Sequence, residues 1–183
     1  RLAGTHGAID TLAFNQQESQ LATSGTDGAV SIWDLKTLAA VQTLLGHDGG
    51  VVSLAFSRDG TKLISGSVDQ TIRSWDLPTA TAQVLRGHSA TVTNLRFSPD
   101  DQYFASSDDG GTIRVWETAR SLLVATQLHG GLISAVSMSP NAAQYASASS
   151  LGTVKIWRFE APALLRTLPP AVNSDENEQR PEI

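Results

Sequence analysis

Apolar and polar residues alternate along this chain in short runs, and no stretch settles into a convincing helical period. In Val51-Val52-Ser53-Leu54-Ala55-Phe56, the side chains of Val52, Leu54 and Phe56 fall on one face, the period-two mark of a half-buried strand. Ser57-Arg58-Asp59-Gly60 follows, a turn whose Asp-Gly pair favours a hairpin. Lys62 to Ser67 predicts a second strand, Val68-Asp69-Gln70 a turn, Thr71 to Trp75 a third strand and Thr81 to Arg86 a fourth.

This unit recurs. Trp33, Trp75, Trp116 and Trp157 are spaced by 42, 41 and 41 residues and include every Trp in the chain. Phe14, Phe56, Phe97 and Met138 each stand 19 residues before a Trp, and His47, His88 and His129 keep the same register. Four-stranded units repeating at this interval are the spacing of propeller blades, which stack face to face around a channel. The predicted fold is all-β, with four tandem four-stranded antiparallel blades over about residues 5–45, 46–86, 87–127 and 128–168. Residues 169–183 are expected to form an acidic, disordered tail.

Gly46-His47, Phe56-Ser57-Arg58-Asp59-Gly60, Ser65-Gly66-Ser67-Val68-Asp69 and Trp75-Asp76 resemble the WD-repeat family pattern, in the regular form its bacterial members show, and the resemblance covers residues 2–168. Trp33-Asp34 and Trp75-Asp76 keep the signature dipeptide, whereas Trp116-Glu117 and Trp157-Arg158 depart from it. The resemblance implies a β-propeller segment whose rim and faces bind proteins or peptides. Four blades are fewer than the family's usual closed ring, which leaves three arrangements: a larger propeller with blades missing upstream, a homodimer completing an eight-bladed ring, or a tight four-bladed ring. The first is expected, because Arg1-Leu2-Ala3 reads as the tail of a preceding outer strand and the segment after Leu168 reads as an end.

His47, Ser65 and Asp69 invite comparison with a nucleophile, base and orienting carboxylate. The family resemblance implies something else, a hydrogen-bonded tetrad of His47, Ser65, Asp69 and Trp75 inside one blade. Each of these buried polar groups needs a partner, and one left unpaired costs roughly 1–3 kcal/mol. Repetition around a ring favours structure, since a catalytic triad is needed only once. The corresponding residues are Thr23, Asp27 and Trp33 in the first unit, where Thr5 holds the His column and His6 is displaced by one. The third unit offers His88, Ser106 and Trp116, with Gly110 in the Asp column and Asp109 expected to reach in through a bulged turn. In the fourth, His129, Ser147 and Trp157 match, but Leu151 replaces the carboxylate.

Composition narrows the function. The net charge is −5, of which residues 169–183 contribute −3, and no Lys/Arg run forms a basic face, so nucleic acid is not an expected partner. No stretch approaches the roughly 20 apolar residues that span a bilayer, so no membrane partner is expected. With no cysteine, thiolate chemistry and disulfides are excluded. The histidines are separated by whole repeats and the glycines sit in turns, so neither a metal site nor a phosphate-binding loop is expected, nor any cofactor or catalytic residue. Asp100-Asp101 and Asp108-Asp109 flank one strand, which holds the pairs roughly 23 Å apart as turn acids. Arg73, Arg114 and Lys155, each two residues before a Trp, read as a partly exposed cationic column.

If the family geometry holds, the loop before each first strand and the turn between second and third strands open on one face. The candidate partner-binding positions there are Thr26, Asp48, Gly50, Val68, Ser89, Ala90, Asp109, Gly130, Leu132 and Ser150, which lack the Tyr, Trp and Arg that anchor hot spots. The expected function is a non-catalytic, cytoplasmic protein–protein interaction scaffold. The alternative is a sensory or targeting C-terminal appendage of a signalling kinase or ATPase encoded upstream.

Overall fold

A computed structural model describes residues 7–159 and 164–168. The expected tail at 169–183 and the displaced His6 lie outside the described residues. Blade 1 holds β1 (Ile9–Phe14), β2 (Gln20–Gly25), β3 (Val30–Asp34) and β4 (Ala39–Leu44); blade 2 holds β5 (Val51–Phe56), β6 (Lys62–Ser67), β7 (Ile72–Asp76) and β8 (Thr81–Leu85). Blade 3 comprises β9 (Val92–Phe97), β10 (Tyr103–Asp108), β11 (Thr112–Glu117) and β12 (Leu122–Leu128), and blade 4 comprises β13 (Ile133–Met138), β14 (Gln144–Ser149), β15 (Val154–Arg158) and β16 (Leu164–Leu168). Each blade is a separate antiparallel meander in chain order, and no helix forms among the described residues.

The first hairpin of every blade shares one backbone device. Glu18, Gly60, Asp101 and Ala142 occupy the same column and all adopt left-handed conformations, with φ of 53°, 73°, 56° and 55°. Only blade 2 places glycine there, which is why its turn alone carries the Asp-Gly signal. Ser57, Ser98 and Ser139 close these turns by accepting the amide of Lys62, Tyr103 and Gln144 at 2.9, 3.0 and 2.9 Å.

The hydrophobic core lies between blades. Ala22, Val30, Ile32 and Leu44 of blade 1 pack on Val51, Leu54, Leu63 and Trp75 of blade 2. Ile64, Ile72 and Leu85 of blade 2 meet Val92, Leu95, Phe104 and Trp116 of blade 3, and Ala105, Ile113 and Val115 of blade 3 meet Ile133, Val136, Tyr145, Trp157 and Phe159 of blade 4. Each sheet thus has a leading face, bearing the Trp column, and a trailing face of smaller aliphatic side chains. Central strands such as β3 and β6 are covered on both sides, while outer strands such as β4 and β8 stay largely exposed. No core cluster joins blade 4 back to blade 1 among the described residues, so the stack is an open arc.

Leu95 is fully buried in the joint between blades 2 and 3, whereas Val41 on an outer strand is 55% exposed. Leu95→Ala is expected to lower the unfolding free energy by about 2–5 kcal/mol and Val41→Ala by less than about 0.5, read from urea denaturation.

Candidate functional site

In blade 2, four side chains join two strands, a loop and a turn. Trp75 Nε1 on β7 donates to Ser65 Oγ on β6 at 2.8 Å, and that oxygen lies 2.8 Å from His47 Nε2 in the loop before β5. His47 Nδ1 lies 2.8 Å from Asp69 Oδ2 in the β6–β7 turn. Asp69 is itself held, accepting the Thr71 amide and hydroxyl at 2.8 and 2.6 Å and the Asp48 amide at 3.0 Å.

The proton order follows from the donors. Ser65 Oγ already accepts the indole N–H, so its own hydrogen points to His47 Nε2, and the ring's remaining hydrogen on Nδ1 goes to Asp69. This is the connectivity of a hydrolytic triad, but Ser65 is completely buried and both its donor and acceptor roles are taken within the blade. A substrate carbonyl has no approach to it.

Blade 3 builds the same relay with one change. Trp116 Nε1 donates to Ser106 Oγ at 2.9 Å, Ser106 Oγ lies 2.7 Å from His88 Nε2, and His88 Nδ1 meets the carboxylate of Asp108 at 2.7 Å. The expectation that Asp109 supplies this carboxylate is therefore corrected. Side chains alternate across a strand, so Asp108, two residues beyond Ser106 on β10, shares its side, while Asp109 points outward and is exposed. No bulged turn is needed. Asp108 stands in the column of Ser67 in blade 2, two positions before the column of Asp69.

Among the described residues, blades 1 and 4 show only part of the network. Trp33 Nε1 donates to Thr23 Oγ1 and Trp157 Nε1 to Ser147 Oγ, both at 2.8 Å. Asp27 is exposed and accepts the Ala29 amide at 3.1 Å. His129 is buried, but its Nε2 lies 3.1 Å from the Ser147 carbonyl rather than the hydroxyl, and Leu151 in the carboxylate column is 69% exposed.

The Arg/Lys column is partly exposed, as expected, and each of its cations is tied to a backbone carbonyl. Arg73 donates to the Gly46 carbonyl with its guanidinium 5.6 Å from the Trp75 ring centre; Arg114 Nη2 donates to Gly87 O at 2.7 Å, and Lys155 Nζ to His129 O at 2.6 Å. These clips explain the glycine before the histidine: a Cβ on Gly46 would lie 2.6 Å from Arg73 Cζ, and its φ of 145° suits only glycine. The sequence offered a signal, since Gly and Arg recur together 27 residues apart in blades 2 and 3.

The ten candidate partner-binding residues lie at one end of the blades. Within blades, Val68 N bonds Gly50 O at 3.0 Å, Asp109 N bonds Thr91 O at 3.0 Å and Ser150 N bonds Leu132 O at 2.8 Å, tying each turn to its loop. Between blades, a Cβ on Gly50 would lie 3.3 Å from Thr26 Cα, and one on Gly111 would lie 2.6 Å from Gly131 O, so loops of neighbours abut. Thr26, Asp48, Val68, Ser89, Asp109, Gly130, Leu132 and Ser150 are exposed on this surface; Gly50 and Ala90 are half-buried.

Four stacked four-stranded meanders with an indole–hydroxyl–imidazole relay define the chain as a repeat β-propeller segment. The family model described as "WD domain, G-beta repeat" matches it four times, over residues 2–34, 39–76, 80–117 and 121–158. The chain belongs to the WD-repeat family. Repeats of this family serve in general as non-catalytic scaffolds for protein–protein interaction. Comparison with curated proteins gave no match.

Burial pushes His47 and His88 below the ordinary histidine value of 6.5, outweighing the pull of Asp69 and Asp108. For Asp69, burial favours the neutral acid, yet hydrogen bonds from Thr71 and His47 prevail and hold it down at about 2. Both shifts make acid destabilising, because the unfolded chain binds more protons. The histidine contribution is present above about pH 6.5 and is expected to fade below it; the Asp69 contribution is present above about pH 3.8 and fades toward about 2. A series of urea melts from pH 8 to 4 should show stability falling below about 6.5, and a rise would contradict the neutral-ring assignment. Asp108→Ala should cost about 1–3 kcal/mol by leaving a buried imidazole N–H unpaired, and Asp109→Ala less than about 0.5; equal losses in thermal melts would count against the relay.

Proposed function

We propose that the chain is a non-catalytic interaction scaffold whose loop face takes a peptide or protein segment carrying basic and apolar side chains. The observation that carries this reading is the make-up of that face. Asp27, Asp48 and Asp109 are exposed there, alongside Val68 at 46%, Leu132 at 47% and Leu151 at 69% exposure. Arg86 is the one Lys or Arg in the described loops and turns of this end, and the cations that reach these loops from the strands, Arg73, Arg114 and Lys155, are engaged by the Gly46, Gly87 and His129 carbonyls, which leaves the exposed carboxylates to favour cationic partners. Exposed aliphatic side chains beside carboxylates match a ligand that alternates Lys or Arg with Leu or Phe.

The tetrads support the reading by fixing the loops. His47 and Asp69 tie the loop before β5 to the β6–β7 turn, so the face is held in shape before a partner arrives and less ordering is lost on binding. Non-catalysis rests on the sealed serines described above. A cytoplasmic setting is part of the proposal.

A fluorescently labelled Lys/Leu-alternating peptide is expected to bind the chain with an affinity that falls as salt rises. Asp48→Lys with Asp109→Lys should weaken it at least tenfold, while Gln16→Lys, at the opposite end, should leave it unchanged. Binding that ignores both the loop-face charges and the salt would contradict the assignment of the face.

A further inference from the structure

Each column of the repeat is a control for the others, and two sets of apolar side chains fail it. On the leading face, Val51, Val92 and Ile133 are at most 1% exposed, but their blade 1 counterpart Ile9 is 44% exposed. Leu54, Leu95 and Val136 are at most 6% exposed, whereas Leu12 in the same column is 59% exposed. Phe56, Phe97 and Met138 are partly covered, and Phe14 is 58% exposed. On the trailing face, Leu44 and Leu85 are 3% and 5% exposed while Leu168 is 37% exposed; Ala146, Val154 and Ile156 are half-buried where Ala22, Val30 and Ile32 are fully covered.

The leading face of blade 1 therefore has the side chains that sit on a trailing face, and the trailing face of blade 4 has those that receive one. The chain carries both halves of a joint that it makes three times internally. We propose that a second copy of this chain covers them, the leading face of each copy seated on the trailing face of the other, with the two joints closing an eight-bladed ring. A heterologous contact of this kind closes when the rotation permits, and eight blades lie within the range propellers adopt. Continuity with the existing joints argues for this occupant, since the pattern asks for a blade face rather than a peptide or a lipid. Unlike the loop-face proposal, this one involves the ends of the arc, so either can fail alone.

The joint also specifies which atoms meet. Between blades 2 and 3, a Cβ on Gly66 would lie 2.8 Å from Val92 Cγ1, and Ser53 Oγ donates to Val92 O at 3.1 Å. Gly66 shares its column with Ala148, and Val92 shares its column with Ile9. Ala148 of one copy should thus adjoin Ile9 of the other.

The chain has no cysteine, so an Ile9→Cys, Ala148→Cys variant reports that contact alone. Under mild oxidation it is expected to give a disulfide-linked dimer, and the unmodified chain should sediment at twice the monomer mass. Phe14→Asp or Ile156→Asp should each yield a folded monomer by circular dichroism, and mixing the two should restore a dimer, because one joint stays intact. An unmodified chain that remains monomeric up to about 100 μM, further blades of the same polypeptide filling the faces instead, would overturn the proposal. So would a dimer whose mass survives both substitutions, or a cysteine variant that forms no intermolecular disulfide.

Discussion

A buried indole N–H has to find an acceptor, and the way each blade meets that demand organises the molecule. The indole of Trp75 reaches Ser65 on the neighbouring strand, Ser65 reaches His47 in the loop before the first strand, and His47 reaches Asp69 in the turn beyond. One relay thereby links two strands to a loop and a turn, adding side-chain bonds to the Val68 N to Gly50 O contact that joins the same loop and turn. Blade 3 repeats the arrangement with the same bond lengths to within 0.1 Å, although its carboxylate comes from a different column. The constraint is the polar satisfaction of the interior, and more than one residue pattern meets it.

Most of the fold was legible because its signals are periodic. The Trp spacing sets the blade length, alternation sets the strands, and the Asp-Gly pair at Asp59-Gly60 marks the first hairpin of blade 2. The missed carboxylate was harder to read. Searching the Asp69 column finds Gly110 in blade 3, and proximity then suggests Asp109, but the side of the strand decides which acid turns inward and selects Asp108. The clips from Arg73 and Arg114 were equally hidden, since a cation two residues before a Trp looks solvated until the chain folds a glycine carbonyl back against it. Which face a sheet buries is legible from sequence; what a long side chain finds after wrapping around an edge depends on tertiary geometry.

The same physics separates the ends of the arc from its loop face. Stacking satisfies apolar surface three times and leaves it open twice, at Leu12 and Phe14 on one side and at Val154 and Ile156 on the other. Meanwhile the relays of blades 2 and 3 hold the loops and turns bearing Asp48 and Asp109 toward solvent, and Leu132 and Leu151 extend the same surface from blade 4. The proposed assembly and the proposed recognition thus draw on different surfaces, one apolar and patterned by the repeat, the other irregular and acidic. The chemistry that resembles a hydrolase belongs to neither, because it is spent inside the blades.

The relay predicts a specific protonation pattern, and nitrogen-15 chemical shifts of the histidine rings measure it most directly. His47 and His88 should be neutral at about pH 7 with hydrogen on Nδ1, facing their carboxylates. Rings of His47 and His88 that titrate freely at about 6.5, or that hold hydrogen on Nε2, would contradict the account.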